Sequence, residues 1–88
     1  MNTEEKKLAY RILFGKWLEK SRNEKRMSQE EVANRIGVSR SVISYYESGK
    51  RSINLNEAIY LCESCGFDFG ELASLIAQSS DEDLEKVL

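Results

Sequence analysis

The sequence predicts an all-α fold from three observations. The 88 residues contain no proline, the residue that most reliably interrupts a helix, and only five glycines. Apolar residues recur at intervals of three and four, and the alternating runs typical of strands are missing. A chain of this length forms one core, but not a core with an enclosed catalytic cleft of ordinary size. We therefore predict one helical binding domain over residues 1–78, an acidic tail or short sixth helix over 79–88, and no enzymatic activity.

The first element is a long helix predicted over residues 3–24. Thr3 is the predicted N-cap, and Glu4 and Glu5 suit the positive end of the helix dipole. The predicted inward stripe repeats at helical spacing and consists of Leu8, Ile12, Leu13, Phe14, Trp17 and Leu18. Residues 23–27 form a connector, in which we expect the one apolar residue, Met27, to be buried.

Two short helices joined by a glycine are predicted within residues 28–51, SQEEVANRIGVSRSVISYYESGKR. Ser28 is the predicted N-cap of the first helix, and Glu31 completes a capping box three residues later. The apolar stripe of this helix is Val32, Ala33 and Ile36. Gly37 follows where the chain must reverse, because glycine adopts a positive φ without steric cost.

The second short helix is predicted to start with Ser39 as its N-cap. One side of this helix is apolar and carries Val42, Ile43 and Tyr46. The side chains left pointing away from the core are Arg40, Ser41, Ser44 and Tyr45. Two amphipathic helices joined in this way are typical of a helix-turn-helix, whose second helix enters the DNA major groove.

A fourth helix is predicted over residues 55–65 and a fifth after Asp68. The fourth ends at Gly66 and has the apolar positions Leu55, Ala58, Ile59, Leu61, Cys62 and Cys65. Asp68 and Glu71 repeat the pattern of a cap and an acid, and the fifth helix carries Leu72, Leu75 and Ile76. The last residues either fray or form a short helix from Ser80 that uses Leu84, Val87 and Leu88.

Charge is segregated along the chain. Residues 1–51 hold twelve Lys/Arg against seven Asp/Glu, a net of +5, whereas residues 52–88 hold one lysine against eight acids, a net of −7. The basic half contains the paired short helices. A basic face toward phosphate and an acidic face away from it would orient an approaching duplex.

Cys62 and Cys65 form a C-x-x-C pair, a spacing found in metal and redox sites. A structural zinc site needs four ligands, yet the chain has only these two cysteines and no histidine. Residues at i and i+3 share a helix face, and both cysteines fall on the apolar one. We predict buried, reduced cysteines, with no metal and no cofactor.

From Phe14 to Leu72 the chain resembles the Xre-type helix-turn-helix family, which includes the lambdoid phage repressors and Cro. The likeness is strongest over SQEEVANRIGVSRSVISYYESGKR and continues through the segment ending CGFDFGEL. This resemblance implies a compact five-helix repressor-like fold, with the helix-turn-helix at helices 2 and 3. It also implies a domain that binds operator DNA as a dimer.

The resemblance implies roles for individual residues. In that family an arginine late in the first helix pairs with a glutamate at the end of the recognition helix, which here are Arg22 and Glu47. Positions that meet base edges correspond to Arg40, Ser41, Ser44 and Tyr45. The glutamine that opens the second helix and touches phosphate corresponds to Gln29. We expect phosphate contacts from Ser28, Gln29, Ser39, Lys50, Arg51 and Ser52, and such contacts fix the position of a protein on DNA without reading its sequence.

Two positions depart from the family pattern. Arg26 stands where relatives often have glycine after the first helix, so a different turn is expected there, with a basic side chain free to reach phosphate. Ile53 stands where a proline is usual, which predicts a less rigid loop.

The expected function is sequence-specific regulation of transcription by a homodimer on double-stranded DNA. Two recognition helices would lie in successive major grooves, about 34 Å apart, on a palindromic site. We expect repression, because occupancy alone blocks polymerase, although the acidic half leaves a polymerase-contacting patch open. The alternatives are an antitoxin that masks a toxin and an adaptor that has lost DNA recognition. The polar start MNTEEKK and the absence of a long apolar run predict a cytoplasmic protein.

Overall fold

The computed structural model describes all 88 residues, and it is entirely helical. Its six helices, in chain order, are α1 (Thr3–Glu24), α2 (Gln29–Ile36), α3 (Arg40–Glu47), α4 (Leu55–Cys65), α5 (Phe69–Gln78) and α6 (Asp81–Val87). The predicted all-α class is confirmed, and α4 spans the predicted residues. None of these helices has both the length and the apolar character needed to cross a membrane.

Side-chain caps define where most of the helices begin. Ser28, Asn54, Asp68 and Ser80 each accept a hydrogen bond from the backbone N–H three residues later. The predicted cap of α1 is wrong, because Asn2 and not Thr3 is the N-cap. The Asn2 side chain accepts from the N–H of Glu5, and the Glu5 carboxylate accepts from the N–H of Asn2. Asparagine caps at least as well as threonine, so the cap is one residue earlier than predicted, while α1 spans the predicted residues 3–24.

The core lies where α1, α2, α3 and α4 meet. The side chains of Trp17, Leu18, Ile43 and Tyr46 are almost entirely buried, and α1 packs against α3 while α2 packs against α4. Phe67 stands edge-on to Trp17, with ring centroids 6.2 Å apart, a favourable geometry for aromatic rings. Met27 is buried in the same cluster, as the sequence predicts.

The closest approach between α1 and α3 occurs at Gly15. A Cβ placed on this residue would collide with the carbonyl oxygens of Tyr46 and Glu47 at the end of α3. Only glycine therefore fits here, and the two helices meet backbone to backbone. This contact fixes the C-terminal end of α3 against the middle of α1.

Several apolar residues predicted to face the core are exposed instead. Leu55 is 66% and Ile59 is 50% accessible, and Leu75 and Ile76 are also exposed. The α4 prediction was wrong at Leu55 and Ile59 because Ala58, Leu61, Cys62 and Cys65 already fill the side that meets the core. On α5 only Leu72 is buried. These side chains leave an apolar surface on α4 and α5.

The C-terminal residues, for which the sequence left a tail and a helix both open, form α6. This helix packs on α1 through Leu84, which is 1% exposed, and the fully buried Ala9 lies on that part of α1. Lys6 pairs with Asp81 across the same contact at 3.1 Å. Neither Ala9 nor Leu84 belongs to the main core cluster, so α6 and the start of α1 form a small packing unit of their own.

Candidate nucleic-acid interface

The connection between α2 and α3 is a tight left-handed turn. Gly37 has φ 73° and ψ 33°, and the N–H of Val38 donates to the carbonyl oxygen of Ala33 at 3.0 Å. The half-buried Val38 packs on the core. Three residues therefore suffice to reverse the chain before α3 begins at Arg40.

The two sides of α3 differ sharply in exposure. Ile43 and Tyr46 are buried, whereas Arg40, Ser41 and the side chain of Tyr45 are exposed, the last of these by 46%. Ser44 is half-buried at the edge between the two sides. The four residues predicted to read bases therefore lie on or beside the solvent-facing side of α3.

The start of α3 lacks the side-chain cap expected from Ser39. This residue has the extended backbone of an N-cap, with φ −79°, but its hydroxyl makes no capping hydrogen bond. The first turn of α3 also contains no acidic residue. Because the first N–H groups of a helix have no partner within it, this end of α3 is positive, unneutralised and open to an anion.

The start of α2 is arranged differently. The hydroxyl of Ser28 accepts from the N–H of Glu31 at 3.0 Å, and the Glu31 carboxylate accepts from the N–H of Ser28 at 3.0 Å. This hydrogen bond from the Ser28 backbone lowers the pKa of Glu31, so the carboxylate stays charged. Ser28 retains only its hydroxyl proton for an external acceptor.

A hydrogen-bond network connects α1, α2 and α3. Arg22 donates from Nε to Oε2 of Glu47 at 2.7 Å and from Nη2 to Oε1 at 3.0 Å. Its third group, Nη1, donates to the carbonyl oxygen of Met27 at 2.9 Å. Both charged side chains are largely buried, with exposures of 13% for Arg22 and 4% for Glu47. The hydrogen bond with Glu47 raises the pKa of Arg22.

Gln29 extends this network to the start of α3. Its Nε2 donates to Glu47 Oε1 at 3.0 Å, and its Oε1 accepts from Arg40 Nη1 at 3.1 Å. The residue predicted to touch phosphate thus contacts the residue predicted to read a base. Sequence reasoning missed this link, because eleven residues and a change of helix separate the two and no local pattern records the contact.

The loop after α3 is held by two neighbouring helices. The N–H groups of Lys50 and Arg51 both donate to the carbonyl oxygen of Tyr45, at 3.0 and 3.3 Å. From α1, Arg11 Nε donates to the carbonyl oxygen of Gly49 at 3.1 Å. The exposed side chains of Lys50, Arg51 and Ser52 therefore project from an anchored backbone. Nothing in the sequence pairs Arg11 with this loop, since the contact spans 38 positions.

A family model described as Helix-turn-helix matches residues 18–72, more than half of the chain. The chain belongs to the Xre/Cro-like helix-turn-helix family. Membership indicates a DNA-binding regulator of transcription, since the family is a regulatory one and not typically enzymatic. The comparison with curated proteins finds no match.

The two departures from the Xre/Cro-like pattern each have a structural outcome. Arg26 is the one non-glycine residue with a positive φ, at 55°. The turn after α1, which was expected to differ, therefore keeps the left-handed conformation suited to glycine. This conformation is sterically unfavourable for arginine. Ile53 is half-buried and packs on the core, which gives this loop an apolar anchor in place of the usual proline.

The cysteines lie away from the exposed side of α3. Cys62 and Cys65 are both free and buried in the core, as their shared helix face predicts. Burial raises the pKa of both thiols, which disfavours the thiolate that metals and disulfide exchange require. No group of three or more potential ligands is placed to hold a metal ion.

Proposed function

We propose that this protein is a sequence-specific repressor that binds a palindromic DNA operator as a homodimer, with α2 and α3 as its helix-turn-helix and α3 as the recognition helix. The observation that carries the proposal is the start of α3. There an exposed arginine, held by Gln29, stands beside an uncapped helix N-terminus on a surface with no carboxylate in the first turn. Such a surface suits the negatively charged floor and walls of a major groove.

Arg40 is the residue we assign to direct base reading. Its forked donors match the O6 and N7 acceptors of guanine, and a good bidentate pair contributes about 1–3 kcal/mol of discrimination. The hydroxyl groups of Ser41 and Ser44 can either donate or accept a hydrogen bond, so they discriminate less between bases. The exposed Tyr45 ring offers apolar contact to a thymine methyl group.

Phosphate contacts are assigned to the residues that surround this helix. Gln29 keeps one amide N–H beyond its donation to Glu47, and the Ser39 hydroxyl is free. On the other side of α3 stand the exposed Lys50, Arg51 and Ser52. A set of contacts from both ends of the recognition helix fixes its register on the duplex.

The exposed apolar residues support dimerisation. Leu55 and Ile59 are one turn apart on α4 and are 66% and 50% accessible, which is costly for an isolated domain in water. Burying them against a second copy would pair two recognition helices. Half-sites about 34 Å apart would then give the palindromic operator that two-fold symmetry requires. Occupancy of such a site blocks polymerase without any activating surface.

Selection from a pool of random duplexes at near-physiological salt tests DNA recognition. At that salt the binding driven by charge alone is weak, so base reading is visible. An enriched inverted repeat is the expected result. A folded protein that enriches no sequence would overturn the proposal and favour the adaptor or an antitoxin that needs its partner.

Light scattering tests dimerisation with two matched variants. Ile59→Asp places a charge in the exposed patch and is expected to give monomers. Tyr60→Asp makes the same change at another exposed residue of α4, about 100° further around the helix, and is expected to leave the dimer intact. A wild-type protein that is monomeric with and without its DNA would refute the homodimer.

A further inference from the structure

A cleft opens between α1 and the loop that follows α3. Its volume is about 230 Å³, and its lining residues are Tyr10, Arg11, Phe14, Arg51, Ser52 and Ile53. The three residues from α1 lie outside the segment 18–72 that matches the family model. The cleft is therefore built partly by the extended start of α1. The proposed reading of bases by α3 does not use it.

The lining combines an apolar wall with two cations. Tyr10, Phe14 and Ile53 supply rings and a branched alkyl group. Arg11 uses only Nε, on the Gly49 carbonyl oxygen, and its two terminal nitrogens make no hydrogen bond within the protein. Arg51 forms no ion pair and no side-chain hydrogen bond. Although the chain has fifteen acidic residues, none lies within ion-pair distance of either guanidinium.

The volume sets how much of an occupant the cleft can enclose. Sites for drug-sized ligands are about 300–1,000 Å³, so this cleft would enclose only part of a nucleotide or a large effector. An apolar cavity of about 150 Å³ is enough to bind benzene in another protein. A volume of about 230 Å³ thus suits one ring and one small polar group.

We propose that this cleft binds a small amphipathic carboxylate, with a single aromatic ring against Tyr10, Phe14 and Ile53 and the carboxylate on Arg11 and Arg51. Guanidinium groups bind carboxylates through parallel charge-assisted hydrogen bonds, and both guanidiniums lack a carboxylate partner in the protein. The site stands apart from the proposed DNA contacts except at Arg51 and Ser52. If Arg51 also contacts phosphate as proposed above, a carboxylate bound in the cleft occupies that side chain and lowers the affinity of the protein for DNA.

The test is a titration of the full chain with sodium benzoate, without DNA, followed by amide chemical shifts at constant ionic strength. Saturable shifts confined to the start of α1 and to residues 51–53 are expected, with a dissociation constant of about 1 mM, ordinary for so small a ligand. Benzyl alcohol has the ring without the charge, and inorganic phosphate has the charge without the ring. Both are expected to bind at least about tenfold more weakly, since each forfeits half of the site.

Two variants separate the site from general attraction to a basic surface. Arg51→Gln removes a lining cation and is expected to weaken benzoate binding about tenfold, the effect of losing one charge-assisted hydrogen bond. Lys50→Gln removes the same charge from the adjacent exposed residue, which does not line the cleft, and is expected to leave binding unchanged. Equal weakening by the two variants would overturn the proposal. Shifts that never saturate, or benzyl alcohol binding as tightly as benzoate, would also overturn it.

The titration contains no DNA, so its outcome is independent of operator recognition. A second measurement, fluorescence anisotropy on an operator duplex with and without benzoate, reads the linkage to DNA binding. We expect benzoate to lower the operator affinity of the wild-type protein and to leave that of Arg51→Gln unchanged. Benzoate bound in the cleft with no change in DNA affinity would remove the linkage and leave the ligand site standing.

Discussion

Arg40 donates a hydrogen bond from Nη1 to Oε1 of Gln29 over 3.1 Å, so the first residue of α3 is held by the first residue of α2. Gln29 is held in turn by Glu47, at the opposite end of α3. The arginine that we propose reads a base is therefore oriented before DNA arrives. A side chain ordered in advance loses less conformational entropy on binding.

The first prediction concerns Arg40, the residue proposed to read a base. Arg40→Ala is expected to relax preference at one base position in each half-site, because the bidentate contact with guanine is lost. Lys50→Ala is the control, since loss of a phosphate contact weakens binding to every sequence about equally. Repeating the random-duplex selection with both variants measures the difference. An unchanged preferred sequence for Arg40→Ala would show that another residue reads that base.

The second prediction concerns Gln29. Sequence reasoning treats Gln29 as a phosphate contact, so Gln29→Ala would weaken binding to all DNA sequences equally. Its hydrogen bond with Arg40 changes that expectation, and Gln29→Ala should also blur the base preference set by Arg40, though less than Arg40→Ala does. Binding of operator and point-mutated duplexes to both single variants and the double variant gives the coupling. Strictly additive effects would mean that the hydrogen bond does not orient Arg40 on DNA.

The third prediction concerns the ion pair between Arg22 and Glu47. Glu47→Ala leaves a largely buried guanidinium without its carboxylate and is expected to reduce the free energy of unfolding by about 3 kcal/mol. Glu47→Gln keeps an acceptor oxygen and should lose less. Urea denaturation followed by circular dichroism measures both. A loss within experimental error for Glu47→Ala would show that the pair orients α3 without stabilising the fold.

The fourth prediction uses the strained residue in the connector between α1 and α2. Arg26→Gly is expected to stabilise the protein by about 0.5–1 kcal/mol, because the left-handed conformation costs arginine about 1–2 kcal/mol and the added freedom of the unfolded chain offsets only part of that. Lys25→Gly is the matched control, since Lys25 has φ −92° and gains nothing from glycine. It should destabilise by about 0.5–1 kcal/mol through the greater freedom of the unfolded chain. Thermal unfolding of the two variants should therefore shift in opposite directions.

The fifth prediction is a dependence on pH at α6. The N–H of Ser80 donates to the Asp83 carboxylate, and this hydrogen bond lowers the pKa of Asp83 from its usual 3.8. A lowered folded pKa means that the contribution to stability is present above 3.8 and is lost as the pH falls through the folded value. We expect α6 to detach from α1 in acid before the core unfolds.

Methyl resonances of Leu84, the α6 residue that is buried against α1, report that detachment. Asp83→Asn keeps an oxygen acceptor but has no carboxyl proton to gain, so its α6 should respond less to acid. Identical acid titrations of Leu84 in wild type and in Asp83→Asn would assign the transition to other groups, among them Asp81 beside Lys6.

Local chemistry made most of the helix boundaries predictable from sequence. Ser28 with Glu31, Gly37 and Gly66 each determine the backbone within a few residues, and all three were found where the pattern placed them. The same local character explains the error at Asn2, because two adjacent residues were both competent caps. At Ser39 the backbone followed the pattern while the hydroxyl did not.

Tertiary geometry decided what the sequence did not reveal. Leu55 and Ile59 have the spacing of core residues, yet α4 meets the core on the side of Ala58 and Leu61. The link between Gln29 and Arg40 and the anchoring of Gly49 by Arg11 depend on how helices cross, which no local spacing encodes. The exposed side of α3 was predictable, because helical periodicity alone separates it from Ile43 and Tyr46.

The backbone contact at Gly15 has a consequence for how such a protein changes its target over evolution. Main-chain atoms at the end of α3 meet α1 at Gly15, the one point of this contact where α1 has no side chain to adjust. Substitutions at Arg40, Ser41, Ser44 or Tyr45 leave this contact intact, so under the proposed mode of binding they alter which bases are recognised without shifting the helix that presents them. Under that proposal new operator preferences are accessible one residue at a time, while a single methyl group at Gly15 would disturb recognition of every operator at once.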